Sequence, residues 1–322
     1  MPKYRSHLPQ LEGGMFLTDG GIETTLIFLN GLELPYFAAF HLLKDKAGRE
    51  ALLEYYRSHA SIACSHETGF ILESPTWRAS SDWGAKLGYS PAAIADANRL
   101  SIDLMLELRG QFETQHCAMV ISGCVGPRGD GYDPGQVMSA ADAEAYHRRQ
   151  IGAFGETDVD LVTAITMTNT PEAIGVVRAA RACELPVVIA FTVETDGRVP
   201  TGQSLKEAII AVDAATENAP AYYMINCAHP THFDAVLATE EPWVRRLRGI
   251  RANASRRSHA ELNEAPDLDD GDPVELGAQY AQLLRRHPQI NVLGGCCGTD
   301  HRHIEQMADA CLPHFSARAA RI

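Results

Sequence analysis

The feature that most constrains this chain is an alternation of short apolar runs with helical patterns, repeated eight times from end to end. The runs are Met15 to Thr18, Phe70 to Leu72, Ala118 to Ser122, Leu161 to Ile165, Pro186 to Val193, Ala221 to Ile225, Leu247 to Ala252 and Ile290 to Leu293. They are mostly apolar on both faces, as parallel strands covered by helices are. Helical patterns follow over Glu50 to Ala63, Pro91 to Arg109, Ala140 to Phe154, Pro171 to Arg181, Ser204 to about Glu217, His232 to Ala238, Pro273 to Arg286 and Asp300 to Cys311. Ser90 and Ser139 read as N-caps, and Ser204-Leu-Lys-Glu207 has the form of a capping box. Eight such units in 322 residues predict an α/β fold, a single (β/α)8 TIM-type barrel, with an open doubly wound sheet as the competitor. No linker or shift of composition divides the chain, so one barrel domain is expected over 1–322. The longest irregular stretch, Asn253 to Asp272, reads as a solvated acidic loop. An EF-hand is rejected there, because Gly271 falls at the wrong offset from Asp267 and the twelfth position is Ala278.

The formal net charge of −13 repels phosphate backbones and anionic lipid, so neither a nucleic acid nor a membrane is an expected partner. A cationic or zwitterionic small molecule suits this field better. No run approaches the ~20 apolar residues of a membrane span. The start, Met1-Pro-Lys-Tyr-Arg-Ser-His7, lacks the apolar core of a secretion signal, and a cytoplasmic location is expected. In that compartment eight cysteines read as thiols or metal ligands rather than disulfides. The sequence leaves a homo-oligomer open.

Three cysteines are singled out by position. Cys227 directly follows the sixth strand, and Cys296 and Cys297 directly follow the eighth. In a barrel these are C-terminal strand ends, where active sites are built, and only one strand separates them. Glycines at 294, 295 and 298 let the backbone turn so that both adjacent sulfurs can point one way. Three thiolates suit one zinc ion and leave its fourth position open, the mark of a catalytic site. A free thiol, with a pKa of ~8.5, is mostly protonated at neutral pH, whereas zinc deprotonates it. A fourth, substrate thiolate on such an electron-rich centre keeps its nucleophilicity. The alternatives are a buried core pair, a vicinal Cys296–Cys297 disulfide, and a redox switch on a non-catalytic zinc-binding barrel. Cys64, Cys117, Cys183 and Cys311 read as structural, and Cys124, which follows the third strand, is the one to watch. His229, His232, His301 and His303 flank the cysteines, each either a transient fourth ligand or, the favoured reading, a surface or supporting group. Trp77, Trp83 and Tyr132 lie in loops of the same face, either as packing or as cation–π partners for an onium donor.

Leu17-Thr-Asp-Gly-Gly21, Ile225-Asn-Cys227 and Gly294-Gly-Cys-Cys-Gly-Thr299, in that order, resemble the zinc-dependent homocysteine S-methyltransferases. That family includes the betaine–homocysteine and S-methylmethionine–homocysteine methyltransferases and the homocysteine module of cobalamin-dependent methionine synthase. Val125-Gly-Pro127 is similar to the family's turn after the third strand. The resemblance implies a (β/α)8 barrel with zinc on Cys227, Cys296 and Cys297. It implies methyl transfer to a thiol acceptor, homocysteine giving methionine, and places Asp19 and Gly20 at the substrate end of the first strand. One barrel has no room for cobalamin domains, so the expected donor is a small sulfonium or ammonium compound. Three departures stand out. Where the family carries Glu after the fourth strand, beside the substrate amine, this chain has Ile165. Arg251-Ala-Asn-Ala-Ser255 replaces an aromatic-Asn-small pattern after the seventh strand, and Leu72-Glu-Ser-Pro-Thr-Trp77 stands after the second. These segments make Glu73, Trp77 and Asn253 candidate substrate-binding residues and admit a different thiol or selenol acceptor. Glu73 is the candidate replacement for the missing Glu, unless it pairs with Arg78 or another nearby base.

Overall fold

The computed structural model describes residues 1–265 and 267–319. Eight parallel strands close into one barrel in chain order. They are β1 Phe16–Leu17, β2 Gly69–Glu73, β3 Met119–Val125, β4 Leu161–Met167, β5 Val187–Phe191, β6 Tyr222–Asn226, β7 Leu247–Ala252 and β8 Val292–Gly295. β1 pairs with both β2 and β8, which closes the ring and rules out the open sheet. The covering helices are α1 Lys46–Ser65, α2 Pro91–Phe112, α3 Ala140–Gly155, α4 Thr170–Ala182, α5 Leu205–Thr216, α6 Pro230–Leu237, α7 Pro273–Arg286 and α8 His301–Ala319. No helix of the described residues is long and apolar enough to cross a membrane.

Local sequence explains where the helices begin. Ser90 and Ser139 accept from the backbone N–H three residues on, and Ser204 with Glu207 forms the reciprocal capping box. Several helical segments were not anticipated, among them Ser81–Lys86 and the turns over Ala39–Lys44 and Pro242–Arg246. The stretch read as a loop from Asn253 to Asp272 contains a short helix, His259–Asn263, opened by a second capping box of Ser258 and Glu261. After β1 the chain turns through Ile22–Thr24 and continues in wider turns over Thr25–Leu29.

Strand periodicity divides the core in two. Ile71, Val120, Val188, Ala190, Tyr222, Met224 and Val292 form the barrel interior. Their neighbours Phe70, Leu72, Met119, Ile121, Val187, Ile189, Tyr223 and Ile225 belong to the larger cluster beneath the helices. This is the two-residue alternation of a pleated strand. Tyr4 and Leu8 pack against the interior cluster. Continuing the inward set by two residues toward the strand C-termini changes its chemistry. Ile71 is followed by Glu73, Val120 by Ser122, Leu161 by Thr163, and Gly249 by Arg251. The barrel therefore carries a polar layer above an apolar one, directly beneath the mouth.

Candidate active site

Cys227, Cys296 and Cys297 converge at this mouth, with sulfurs all within 4.8 Å of one another. β7 is the reason two loops from non-adjacent strands meet. Its carbonyls at Arg251 and Ala252 accept from the N–H groups of Cys227 (3.1 Å) and Cys296 (2.8 Å), and the Ala254 N–H donates to Cys297 O (3.0 Å). Gly298 takes φ +79°, the left-handed conformation that turns the chain after the Cys pair. A Cβ at Gly21 would lie 2.5 Å from the Cys296 carbonyl oxygen, so only glycine lets the end of β1 approach this loop. Cys227 and Cys296 are joined as a disulfide, and Cys297 Sγ lies 3.8 Å from Cys227 Sγ. The vicinal Cys296–Cys297 pairing weighed from sequence is thus not the one adopted. Cys124 is buried and stands apart from the cluster.

The sulfurs are held by neutral groups. Tyr132 Oη hydrogen-bonds Cys297 Sγ at 3.1 Å and lies 4.0 Å from Cys227 Sγ. Its ring stacks on His259, with centroids 4.0 Å apart. His259 Nε2 lies 2.6 Å from Cys227 O, and its Nδ1 faces Glu194 at 3.0 Å. Asn226 Oδ1 accepts from Thr166 N–H, and its amide donates to Thr166 Oγ1 at 2.9 Å and faces Cys296 Sγ at 3.9 Å. Cys227 (φ 52°) and Thr166 (φ 61°) both sit in the left-handed region, which is costly for a β-branched residue and common at functional sites. A register shift between Ala164 and Met167 re-aims this end of β4. Burial pushes the Cys297 thiol up, with Glu23 adding to the rise and Tyr132 opposing it.

Below the sulfurs lies a charged cluster centred on Arg251. Its Nη2 donates to Asp19 Oδ1 at 2.7 Å and to Gly20 O at 3.2 Å, its Nε donates to Gly295 O at 3.0 Å, and its Nη1 lies 3.3 Å from Glu73 Oε2. Tyr55 Oη donates to Asp19 Oδ2 at 3.0 Å. Burial pushes the Glu73 carboxyl up, and Arg251 opposes the rise. The base that meets Glu73 is therefore Arg251 and not Arg78. Ile165 packs against the apolar interior.

The remaining candidates line the mouth. Asn253 is buried, its N–H donates to Ala228 O, and its Oδ1 has no protein partner. The rings of Trp77 and Trp83 both carry the Arg78 guanidinium, at 3.9 and 3.8 Å. His229 caps α6 through Thr231, His232 bonds Arg256 O, His303 bonds Asp270 O, and His301 is exposed. None of the four joins the sulfur cluster. Sequence reasoning missed Glu23, Asn226, His259 and the role of Arg251. The signal for Arg251 was present: a charge buried inside a strand of a closed barrel must find a buried counter-charge. Burial pushes the Glu23 carboxyl up to about 7, with its own backbone N–H opposing and Asp19 adding to the rise.

The sequence model of the family described as homocysteine S-methyltransferase matches residues 16–311. Among solved structures, the homocysteine methyltransferase MmuM from Escherichia coli in its oxidized form is similar to this chain with TM-score 0.72 and 18% identity, covering 94% of this chain and 97% of that one. The metallated form matches with TM-score 0.70 and 19% identity, over 94% and 98%. At such identity these structures speak for the barrel fold, while the family match spans every element that builds the mouth. The chain belongs to the homocysteine S-methyltransferase family.

Proposed function

We propose that this enzyme is a zinc-dependent S-methyltransferase that moves a methyl group from a small sulfonium or ammonium donor to a thiol, with homocysteine as acceptor and methionine as product. The observation that carries this reading is the convergence of Cys227, Cys296 and Cys297 at the barrel mouth. Tetrahedral zinc with thiolates at about 2.3 Å would space the sulfurs by about 3.8 Å, which fits the 3.8 Å between Cys227 and Cys297. The Cys227–Cys296 pair must first be reduced, since a disulfide offers no thiolate. We assign the protein to the cytoplasm, where thiols are kept reduced, and to one barrel domain.

Zinc held by these residues would supply an open fourth position at which a substrate thiol loses its proton yet stays nucleophilic. The chain's own groups supply the positioning. Tyr132, Asn226 and the His259 contact to the Cys227 carbonyl fix the three sulfurs before substrate arrives. Donor methyl, acceptor sulfur and leaving group must then lie in line, which is a matter of orientation. An onium methyl meeting an anionic sulfur loses charge in the transition state, so a water-poor mouth favours the step. The net charge of −13 favours a cationic donor.

The test is to incubate reduced, zinc-loaded enzyme with homocysteine and, separately, S-methylmethionine, S-adenosylmethionine or glycine betaine, and to measure methionine. Formation from at least one donor supports the reading. Turnover only with a separate methyl-cobalamin protein contradicts the donor assignment, and no methionine from any source contradicts the function. Ile165 favours a second reading, the same chemistry on a thiol without an amino group. Methylation of such a thiol by an enzyme that ignores homocysteine would establish it.

A further inference from the structure

Two charged side chains at the mouth, Glu23 and Arg78, belong to neither of the clusters described so far. Glu23 lies in the helical turn directly after Asp19-Gly-Gly21. That turn packs on the cysteine loop: Gly21 abuts the Cys296 carbonyl, and Thr24 Oγ1 accepts from the Gly298 N–H at 3.2 Å. Among the described residues, Glu23 has no ion pair and no hydrogen-bond partner beyond its own backbone N–H. The packing of this turn on the cysteine loop sets Glu23, half-buried, at the rim of the mouth.

Arg78 is the complement. Its side chain is only 4% exposed. Two tryptophan rings hold the guanidinium in place, Nη1 donates to Gly129 O at 2.8 Å, and Nη2 lies 3.6 Å from Asp130. Among the described residues its buried Nε has no hydrogen-bond partner, nor do the neighbouring Trp77 and Trp83 Nε1 groups. Glu23 and Arg78 feel each other's charge but do not close into an ion pair. Buried donors left unpaired, such as Arg78 Nε and the two indole N–H groups, are costly unless something fills the gap.

We infer that Glu23 and Arg78 form the recognition pair for an amino-acid head group, Glu23 taking the ammonium and Arg78, with the indole N–H groups beside it, taking the carboxylate. This inference deepens the function proposed above. It also explains how the chain manages with Ile165 where the family has Glu, because Glu73 is held by Arg251 and Glu23 is not. The head group has two sources, the thiol acceptor and an amino-acid sulfonium donor. The packing of the Glu23 turn against the cysteine loop favours the acceptor.

The experiment measures equilibrium binding to reduced, zinc-loaded enzyme by calorimetry. The ligands are homocysteine, 4-mercaptobutyrate (no amine), 3-aminopropanethiol (no carboxylate) and S-methylmethionine. Homocysteine should bind ~10–100-fold more tightly than either truncated thiol. Glu23→Gln should erase its advantage over 4-mercaptobutyrate, and Arg78→Met its advantage over 3-aminopropanethiol, with zinc content unchanged. The same losses on S-methylmethionine alone would move the pair to the donor and still support it. Equal binding of all three thiols by wild-type enzyme, with S-methylmethionine unaffected by Glu23→Gln, would overturn the inference. Should Arg78→Met fail to fold, the Glu23→Gln series decides. Methyl-transfer assays run in parallel keep the two proposals apart. Discrimination without turnover sinks the function and keeps the pair, and turnover without discrimination does the reverse.

Discussion

The sulfur cluster on the β6 and β8 ends and the Arg251 cluster on β7 lie side by side at one mouth, and they are built on opposite principles. Around the sulfurs the close partners are a phenol, an amide and backbone groups, and three cysteines share the space with no counter-ion among the described residues. Around Arg251, two carboxylates, three backbone carbonyls and the Tyr55 hydroxyl of the Asp19 shell close on one another. One region is left with unused binding capacity, and the other is nearly saturated. Chemistry belongs where capacity is unused. Saturation makes a rigid floor, and breaking it should cost folding energy rather than ligand affinity.

The sharpest way to break this comparison is to remove one member of each region. Cys297→Ala should release nearly all of the about one zinc per chain bound by reduced wild-type protein, with little change in thermal stability. Full occupancy in the variant, read by elemental analysis, would remove Cys297 from the ligand set. Arg251→Met should do the opposite. It leaves Asp19 and Glu73 buried without their counter-charge, and should cost about 3–5 kcal/mol in denaturant unfolding. Adding Asp19→Asn should recover part of that loss. A cost below about 1 kcal/mol would mean that the cluster is not a floor.

A smaller effect tests the groups that hold the sulfurs. Tyr132→Phe removes the hydrogen bond to Cys297 and keeps the stack on His259. Metal affinity should fall by about tenfold, as for other groups that orient metal ligands. Unchanged affinity would make Tyr132 a packing residue.

The smallest effect comes from Glu172, outside both regions, and calibrates what an ordinary buried acid contributes. Burial raises its carboxyl, but hydrogen bonds from His147, the Arg128 N–H and Asn169 outweigh that and leave it below the usual range. Its folded pKa lies below its unfolded one, so its contribution is present above about pH 4.3 and is lost as pH falls through the folded value. Wild type should therefore exceed Glu172→Gln in stability at neutral pH, and the gap should narrow below about pH 4.3. A gap that widens on acidification would reverse the sign.

Much of this molecule was legible in its sequence. Apolar runs and capping serines predict the barrel because strand burial and helix starts depend on local residue type. Cys227 and the Cys296-Cys297 pair were legible because a strand end fixes where a residue emerges. The helix His259–Asn263 was missed although Ser258 and Glu261 signal it, because the acidic run around them reads as solvated. Partners set by tertiary closure were hidden. Glu73 meets Arg251 across the barrel, from β2 to β7, and no sequence spacing encodes that. The Cys227–Cys296 pairing and the contact of Tyr132 with Cys297 depend likewise on how loops fold over the mouth.

The central claim, that three cysteines hold one zinc whose fourth position receives the substrate sulfur, is tested most directly by zinc K-edge X-ray absorption on the reduced enzyme with and without homocysteine. The account predicts three sulfur neighbours at about 2.3 Å and one lighter ligand without homocysteine, rising to four sulfurs when it is added. A sulfur count that stays the same on adding homocysteine, or that falls short of three without it, would contradict it.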